Sequence, residues 1–128
     1  MFNGKAVVLI VEDSPIIRMS AVDLMESSGY VALEADSADE AIRLLESRTD
    51  IDLVFTDVQM PGTMDGIKLA HHIRNRWPPV KLIVASGQAI LEESSLPLGS
   101  QFFTKPYDGH AIADAIARAL SSNASPLA

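Results

Sequence analysis

The sequence of 128 residues contains no cysteine, so it can form neither a disulfide framework nor a thiolate metal site. Long apolar runs are also missing. The run Ala6–Val11 near the N-terminus is too short to span a membrane and is followed by Glu12 and Asp13. No targeting segment is visible, so we expect a cytoplasmic protein without a membrane partner.

Basic residues are outnumbered by acidic ones, which gives a formal net charge of −7. An acidic surface repels phosphate backbones, so we expect no nucleic acid partner. Apolar residues make up 48% of the chain, which is enough for a buried core and argues against intrinsic disorder. The length suits a single compact domain.

Short apolar runs alternate with helical patterns along the chain. Alternation of this kind predicts an α/β fold, in which a parallel five-stranded sheet carries helices on both faces. Helix starts are marked at Ser14-Pro15 and by a capping box from Ser37 to Glu40. We predict strands at Ala6–Val11, Val31–Ala35, Leu53–Thr56, Leu82–Ala85 and Phe102–Thr104.

The domain is expected to cover residues 5–120, and the polar residues 121–128 are expected to form a flexible tail. The stretch from Gly87 to Gln101 is short for a loop, a full helix and a return loop. Pro97 and Gly99 interrupt its helical pattern. The sequence therefore predicts a short fourth helix.

Polar residues stand at the carboxyl ends of four predicted strands. Ligands of open α/β sheets bind at this edge, so three carboxylates, one hydroxyl and one ammonium group should gather there. The carboxylates would raise each other's pKa unless a cation compensates them, and Mg²⁺ is the abundant hard cation for oxygen ligands. Such a site suits phosphoryl transfer to a carboxylate. The strand-end pairs are Glu12-Asp13, Thr56-Asp57, Ser86-Gly87 and Lys105-Pro106.

This ordered set of residues resembles the receiver domains of two-component signalling, and the resemblance extends from Lys5 to about Leu120. It implies a flavodoxin-like (βα)5 fold with the strand order 2-1-3-4-5. It also implies a signalling domain that catalyses part of its own phosphorylation and dephosphorylation rather than an enzyme that turns over a metabolite. The further motif pairs that carry the resemblance are Met60-Pro61 and Asp65-Gly66.

The resemblance assigns the phosphoacceptor and the metal ligands. Asp57 would accept the phosphoryl group. Mg²⁺ would be held by Asp57, by Asp13 directly, by Glu12 through water, and by the backbone carbonyl of Gln59. Asp13 taken alone would more often be a helix cap, so its role depends on the whole set.

The resemblance also assigns the switch and the partners. The switch hydroxyl would be that of Ser86, the site lysine Lys105 and the switch aromatic residue Phe102. The phosphodonor would be a histidine kinase or a histidine phosphotransfer protein, the output partner would be an unknown protein, and the chain would be a monomer or a weak dimer. Two departures from the commonest pattern are Phe102 in place of tyrosine and a segment 61–66 that is one residue longer than usual.

Other functions remain open from the sequence. A small phosphohydrolase could use Asp57 as its nucleophile, but it would usually need an acid at the position of Gln59. A flavin or nucleotide module would need a glycine-rich loop where Glu12-Asp13 stands. A degenerate receiver would act by protein contact alone. Within the receiver class the chain could be a free-standing regulator, a phosphorelay intermediate, a phosphate sink or part of a larger protein. The three histidines are interpreted as surface residues: His71, His72 and His110.

Overall fold

The computed structural model describes residues 5–58, 65–87, 96–97 and 99–121. Five parallel strands form one sheet in the order β2-β1-β3-β4-β5, which confirms the predicted flavodoxin-like topology. Each predicted strand is present and differs by no more than one residue at either end. The strands are β1 (Val7–Val11), β2 (Val31–Ala35), β3 (Leu53–Asp57), β4 (Lys81–Ser86) and β5 (Gln101–Thr104).

Four helices are described in the ranges given above, and each begins where a polar side chain or a proline marks its first turn. Ser14 caps α1, Ser37 caps α2, and Asp65 caps α3 by accepting from the backbone N–H of Lys68. None of the described helices is long and apolar enough to cross a membrane. The helices are α1 (Pro15–Ser27), α2 (Ala38–Ser47), α3 (Gly66–Arg76) and α4 (Gly109–Ser121).

Two apolar clusters cover the two faces of the sheet, because alternate residues of a strand point to opposite sides. On one face Leu9 and Val54 pack with Leu69 of α3. On the other face Ile10 and Ile83 pack with helices α1 and α4. Burial on both faces explains why β1 is a continuous apolar run rather than an alternating one.

Two predictions concern parts of the chain at the edges of the described residues. The short fourth helix was predicted between Gly87 and Gln101, and residues 88–95 and 98 of that stretch lie outside the described ones. Helix α4 continues through Ser121, one residue into the predicted tail, and residues 122–128 also lie outside the described ones. Labels α1–α4 therefore refer to the described helices only.

Candidate functional site

Three carboxylates meet at the carboxyl edge of the sheet. Strands β1 and β3 are neighbours with Val11 opposite Thr56, so the next residue of each strand, Glu12 and Asp57, comes to the same place. Carboxylate oxygens of Glu12, Asp13 and Asp57 lie within 4.8 Å of one another. Glu12 is 5% exposed and Asp57 is 6% exposed, whereas Asp13 is exposed to solvent.

Lys105 brings an ammonium group to this cluster from the end of β5. Its backbone N–H donates to the carbonyl of Ser86 at 2.7 Å, which fixes the lysine beside the end of β4. The Nζ atom lies 3.2 Å from Oε1 of Glu12 and 3.0 Å from Oδ1 of Asp57. Burial disfavours the charged ammonium, but contact with Asp57 and then with Glu12 outweighs it, so the pKa of Lys105 is raised above 10.5.

Glu12 is the carboxyl group whose ionisation the site opposes. Burial is the main cause that raises the pKa of Glu12 above 4.5, and the negative charge of Asp57 adds to it. The backbone N–H of Ser14, 3.1 Å from Oε2, and the ammonium of Lys105 act in the other direction without cancelling burial. One lysine therefore compensates two buried carboxylates incompletely.

The cluster fits a hard divalent cation. Oδ1 of Asp57 is buried, and among the described residues it accepts no hydrogen bond, because Lys105 Nζ approaches it at 3.0 Å as an ion pair without the direction of a hydrogen bond. A buried carboxylate oxygen without a donor is costly, and an added cation would relieve that cost. Oxygen ligands from Glu12, Asp13 and Asp57 could therefore bind a metal ion. The predicted ligand Gln59 lies outside the described residues.

Ser86 and Phe102 lie on the strands next to this cluster. Asp57 pairs with Ala85 across β3 and β4, so Ser86 follows at the same edge, where it is fully buried. Phe102 pairs with Val84 one step further back on β5. Its partly buried side chain packs on the α3 side of the sheet, and that of Phe103 packs on the opposite side.

The model of the family described as "Response regulator receiver domain" matches residues 8–117. The chain belongs to this family. The sensor kinase CckA of Brucella abortus is 41% identical over 88 residues, which are 68% of this chain and 9% of that protein. The response regulator protein FleR of Pseudomonas aeruginosa is 36% identical over 116 residues, which are 88% of this chain and 24% of that protein.

Solved receiver structures have the same fold. The CheY-like receiver domain protein of Methanospirillum hungatei superimposes with a TM-score of 0.86 at 27% identity, covering 94% of this chain and 97% of that one. The present chain spans only 9% and 24% of the length of the two curated relatives named above.

Three residues around the site of this receiver had no role predicted from the sequence, although one of them, Gly66, belongs to a motif pair that carries the resemblance. Tyr107 lines the pocket beside Asp57 and packs edge-on against Phe55, with ring centroids 5.6 Å apart. Gly66 begins α3 against the backbone of Asp57, where an added Cβ would overlap the carbonyl oxygen. Arg18 donates from Nη1 to the carbonyl oxygen of Glu12 at 2.8 Å. The sequence did indicate that Arg18 needs an acceptor nearby, because a cation near a helix N-terminus is unfavourable without a partner.

The three histidines do not join the acidic site. Within the described residues, the group able to hold a metal contains only the three carboxylates. His71 and His72 lie on α3, and the ring of His72 contacts Trp77 edge-on at 5.8 Å between centroids. His110 lies at the start of α4 and is exposed.

Proposed function

We propose that this receiver accepts a phosphoryl group on Asp57 from a phosphohistidine and transmits the event to a protein partner by a conformational switch. One observation carries the proposal. The carboxylate of Asp57 is buried between an ammonium group 3.0 Å away and two further carboxylates within 4.8 Å. A nucleophilic carboxylate flanked by a cation and by a site for a second cation is what transfer of a phosphoryl group requires.

The proposed metal is Mg²⁺, which would be held by Glu12, Asp13, Asp57 and the backbone carbonyl of Gln59. When bound, it would supply positive charge against the oxygens of the transferring group. Glu12 and Asp13 would keep it beside the acceptor.

Asp57 would attack with one carboxylate oxygen. A P–O bond to Asp57 forms as the P–N bond to the donor imidazole breaks, and the leaving imidazole takes up a proton. Lys105, already 3.0 Å from Oδ1 of Asp57, would pair with the new phosphoryl oxygens. The chain would thus act as an acceptor that catalyses part of its own reaction and processes no separate metabolite.

The switch would begin at Ser86. Its hydroxyl group would donate to a phosphoryl oxygen on Asp57, drawing the end of β4 toward the site. Phe102, on the neighbouring strand and only partly buried, would repack into the space that this movement opens. The face formed by β5 and α4 would then present the change to an output partner.

An apolar surface beside the acceptor supports a protein as the donor. Ile16 is 78% exposed and Met19 is 63% exposed, both on the first two turns of α1 that follow Asp13. Ile17, 39% exposed, also lines the pocket of Asp57. A histidine kinase or histidine phosphotransfer protein would cover this surface as its phosphohistidine reaches the acceptor.

The wider context of the chain is also a proposal. It could work as a free-standing regulator, as a phosphorelay intermediate, as a phosphate sink or as the receiver of a longer protein. A cytoplasmic location, a monomeric or weakly dimeric state and independence from nucleic acid stay predictions from the sequence.

The test is incubation with acetyl phosphate and Mg²⁺ followed by intact mass measurement, beside an Asp57→Asn control. We expect one added phosphoryl group that depends on Mg²⁺ and is lost in the control. Binding of beryllofluoride, followed by amide NMR, runs in parallel because acyl phosphates can hydrolyse before detection. A wild-type chain that shows neither the adduct nor a beryllofluoride response would refute the proposal.

A further inference from the structure

Arg18 connects three parts of the fold beside the acidic site. Its Nη1 atom donates to the carbonyl oxygen of Glu12 at 2.8 Å, and its Nε atom donates to Oε1 of Glu34 at 3.0 Å. Glu12 follows β1, Glu34 belongs to β2, and Arg18 itself belongs to α1. The arginine side chain is only 20% exposed, so it is packed in this position.

The contact acts on the peptide unit that leads into Asp13. The carbonyl of Glu12 and the N–H of Asp13 share one rigid plane, so holding the oxygen fixes the direction in which the chain enters Asp13. In the part of the chain that the structure describes, the exposed side chain of Asp13 has no hydrogen-bond or ion-pair partner of its own. Its placement therefore depends on the backbone before it.

Because Arg18 is positively charged, it cannot help the site by attracting the divalent cation. A guanidinium near three carboxylates repels a divalent cation that approaches them, although Glu34 offsets part of this charge. Geometry and charge thus predict opposite results for loss of Arg18. Loss of the charge alone would strengthen binding of Mg²⁺, whereas loss of the fixed backbone would weaken it.

We propose that Arg18 is a positioning residue for the cation site: by joining the Glu12 carbonyl to Glu34, it orients the Glu12–Asp13 peptide for metal binding. The inference rests on the proposed function, because it assumes that the carboxylates take a divalent cation. Geometry dominates since Mg²⁺ demands a nearly ideal octahedral arrangement of its ligands. Residues that orient metal ligands typically change affinity by one to two orders of magnitude when replaced.

The experiment is a titration with Mg²⁺ alone, followed by amide NMR, on the wild type and on Arg18→Ala, Arg18→Lys and Glu34→Gln. We expect roughly tenfold weaker binding in Arg18→Ala. Arg18→Lys keeps the charge and the alkyl stem but lacks the rigid fork that reaches two acceptors, so its binding should stay weaker as well. Glu34→Gln keeps an acceptor oxygen for Nε and should bind within about twofold of the wild type.

Several outcomes would overturn the inference or the cation site on which it rests. Binding by Arg18→Ala that equals or exceeds wild-type binding would overturn the inference, and so would full recovery in Arg18→Lys. A purely structural role would lower the metal-free melting temperature of both Arg18 variants and leave their Mg²⁺ affinity unchanged, which also overturns it. An Asp13→Asn variant tests the cation site itself. If the wild type binds no Mg²⁺, or Asp13→Asn binds it equally well, the proposed site fails together with the role of Arg18.

Discussion

Glu12 and Asp57 share one ammonium group. The Nζ atom of Lys105 lies 3.2 Å from the Glu12 carboxylate and 3.0 Å from that of Asp57. Two buried carboxylates therefore face one partly buried cation, and the imbalance appears as the raised pKa of Glu12. The same imbalance makes the site a destabilised part of the metal-free protein, and its cost must depend on pH.

The first prediction follows from the sign of that pKa shift. Because the pKa of Glu12 is higher in the folded chain than the ordinary value of 4.5, its contribution to stability is full below pH 4.5. It is lost as pH rises from there through the folded-state pKa. Glu12→Gln should remove this loss, so its free energy of unfolding relative to the wild type should rise with pH across that window. One proton limits the slope to about 1.4 kcal/mol per pH unit.

Urea unfolding in chelator, repeated from pH 4 upward, measures this difference. Added Mg²⁺ should stabilise the wild type more as pH rises through the same window, because the metal needs the ionised carboxylate. Glu26→Gln is a matched control, since Glu26 is an exposed carboxylate in the last turn of α1, at the end of that helix remote from the site. A wild-type-minus-Glu12→Gln difference that does not vary with pH would contradict the prediction.

A second prediction concerns Gly66, the first residue of α3. A Cβ built there would overlap the carbonyl oxygen of Asp57 and would lie 2.8 Å from its carbonyl carbon. These neighbours are backbone atoms, which cannot relieve the overlap by a change of rotamer as a side chain can. Gly66→Ala should therefore cost roughly 1–3 kcal/mol of unfolding free energy and should slow phosphorylation of Asp57 by acetyl phosphate.

Gly87→Ala is the control for stability. An added Cβ at Gly87 meets no atom of the described residues within 4 Å, so urea unfolding should place this variant within about 0.5 kcal/mol of the wild type. If the two alanine variants are equally stable, the backbone adjusts at Gly66 at little cost, and the position of Asp57 does not depend on this contact.

The contacts of Gly66 and Arg18 with the strand ends show what the sequence could not predict. The strands were predictable because β1 and β4 are buried on both faces and so read as apolar runs. The gathering of Glu12, Asp57 and Lys105 was predictable because they lie at or directly after the ends of strands that share one edge. Close approach of Gly66 to Asp57, and of Arg18 to Glu12, depends on how helices pack against those ends, which local patterns do not record.

In the capping box of α2, too, the sequence predicted the element but not every contact. Ser37 accepts from the backbone N–H of Glu40 at 3.2 Å, as the motif predicts. The Glu40 carboxylate, however, accepts from the backbone N–H of Asp36 at 2.8 Å. Sequence therefore identified the start of the helix, while the exact partner depended on the turn that precedes it.

A third prediction tests the apolar surface of α1. Met19→Glu should slow phosphotransfer from a phosphorylated histidine phosphotransfer domain that serves the wild type by about tenfold, the cost of about 1.4 kcal/mol at an interface. It should leave phosphorylation by acetyl phosphate unchanged, because a small donor needs no docking surface. Met19 is 63% exposed, so the variant should keep its stability.

Val31→Glu provides the comparison for this surface. Val31 is also an exposed apolar residue, 38% exposed, but it begins β2 and so lies at the opposite edge of the sheet. Its rates with both donors should equal those of the wild type. If Met19→Glu slows both donors alike, the effect is on the acceptor site and the docking surface is refuted.

A fourth prediction follows the switch from Ser86 to Phe102. Beryllofluoride should shift amide resonances of β5 and α4, and Ser86→Ala should reduce those shifts because no hydroxyl group remains to meet the ligand. Ser86→Thr keeps the hydroxyl and should retain most of the response.

Amide NMR suits this test better than tryptophan fluorescence, because Trp77 follows α3, about 16 Å of helix away from Gly66. Phe102→Leu should bind beryllofluoride as the wild type does and yet lose the shifts in α4. Unchanged α4 shifts in Phe102→Leu would mean that the signal leaves the site without passing through Phe102.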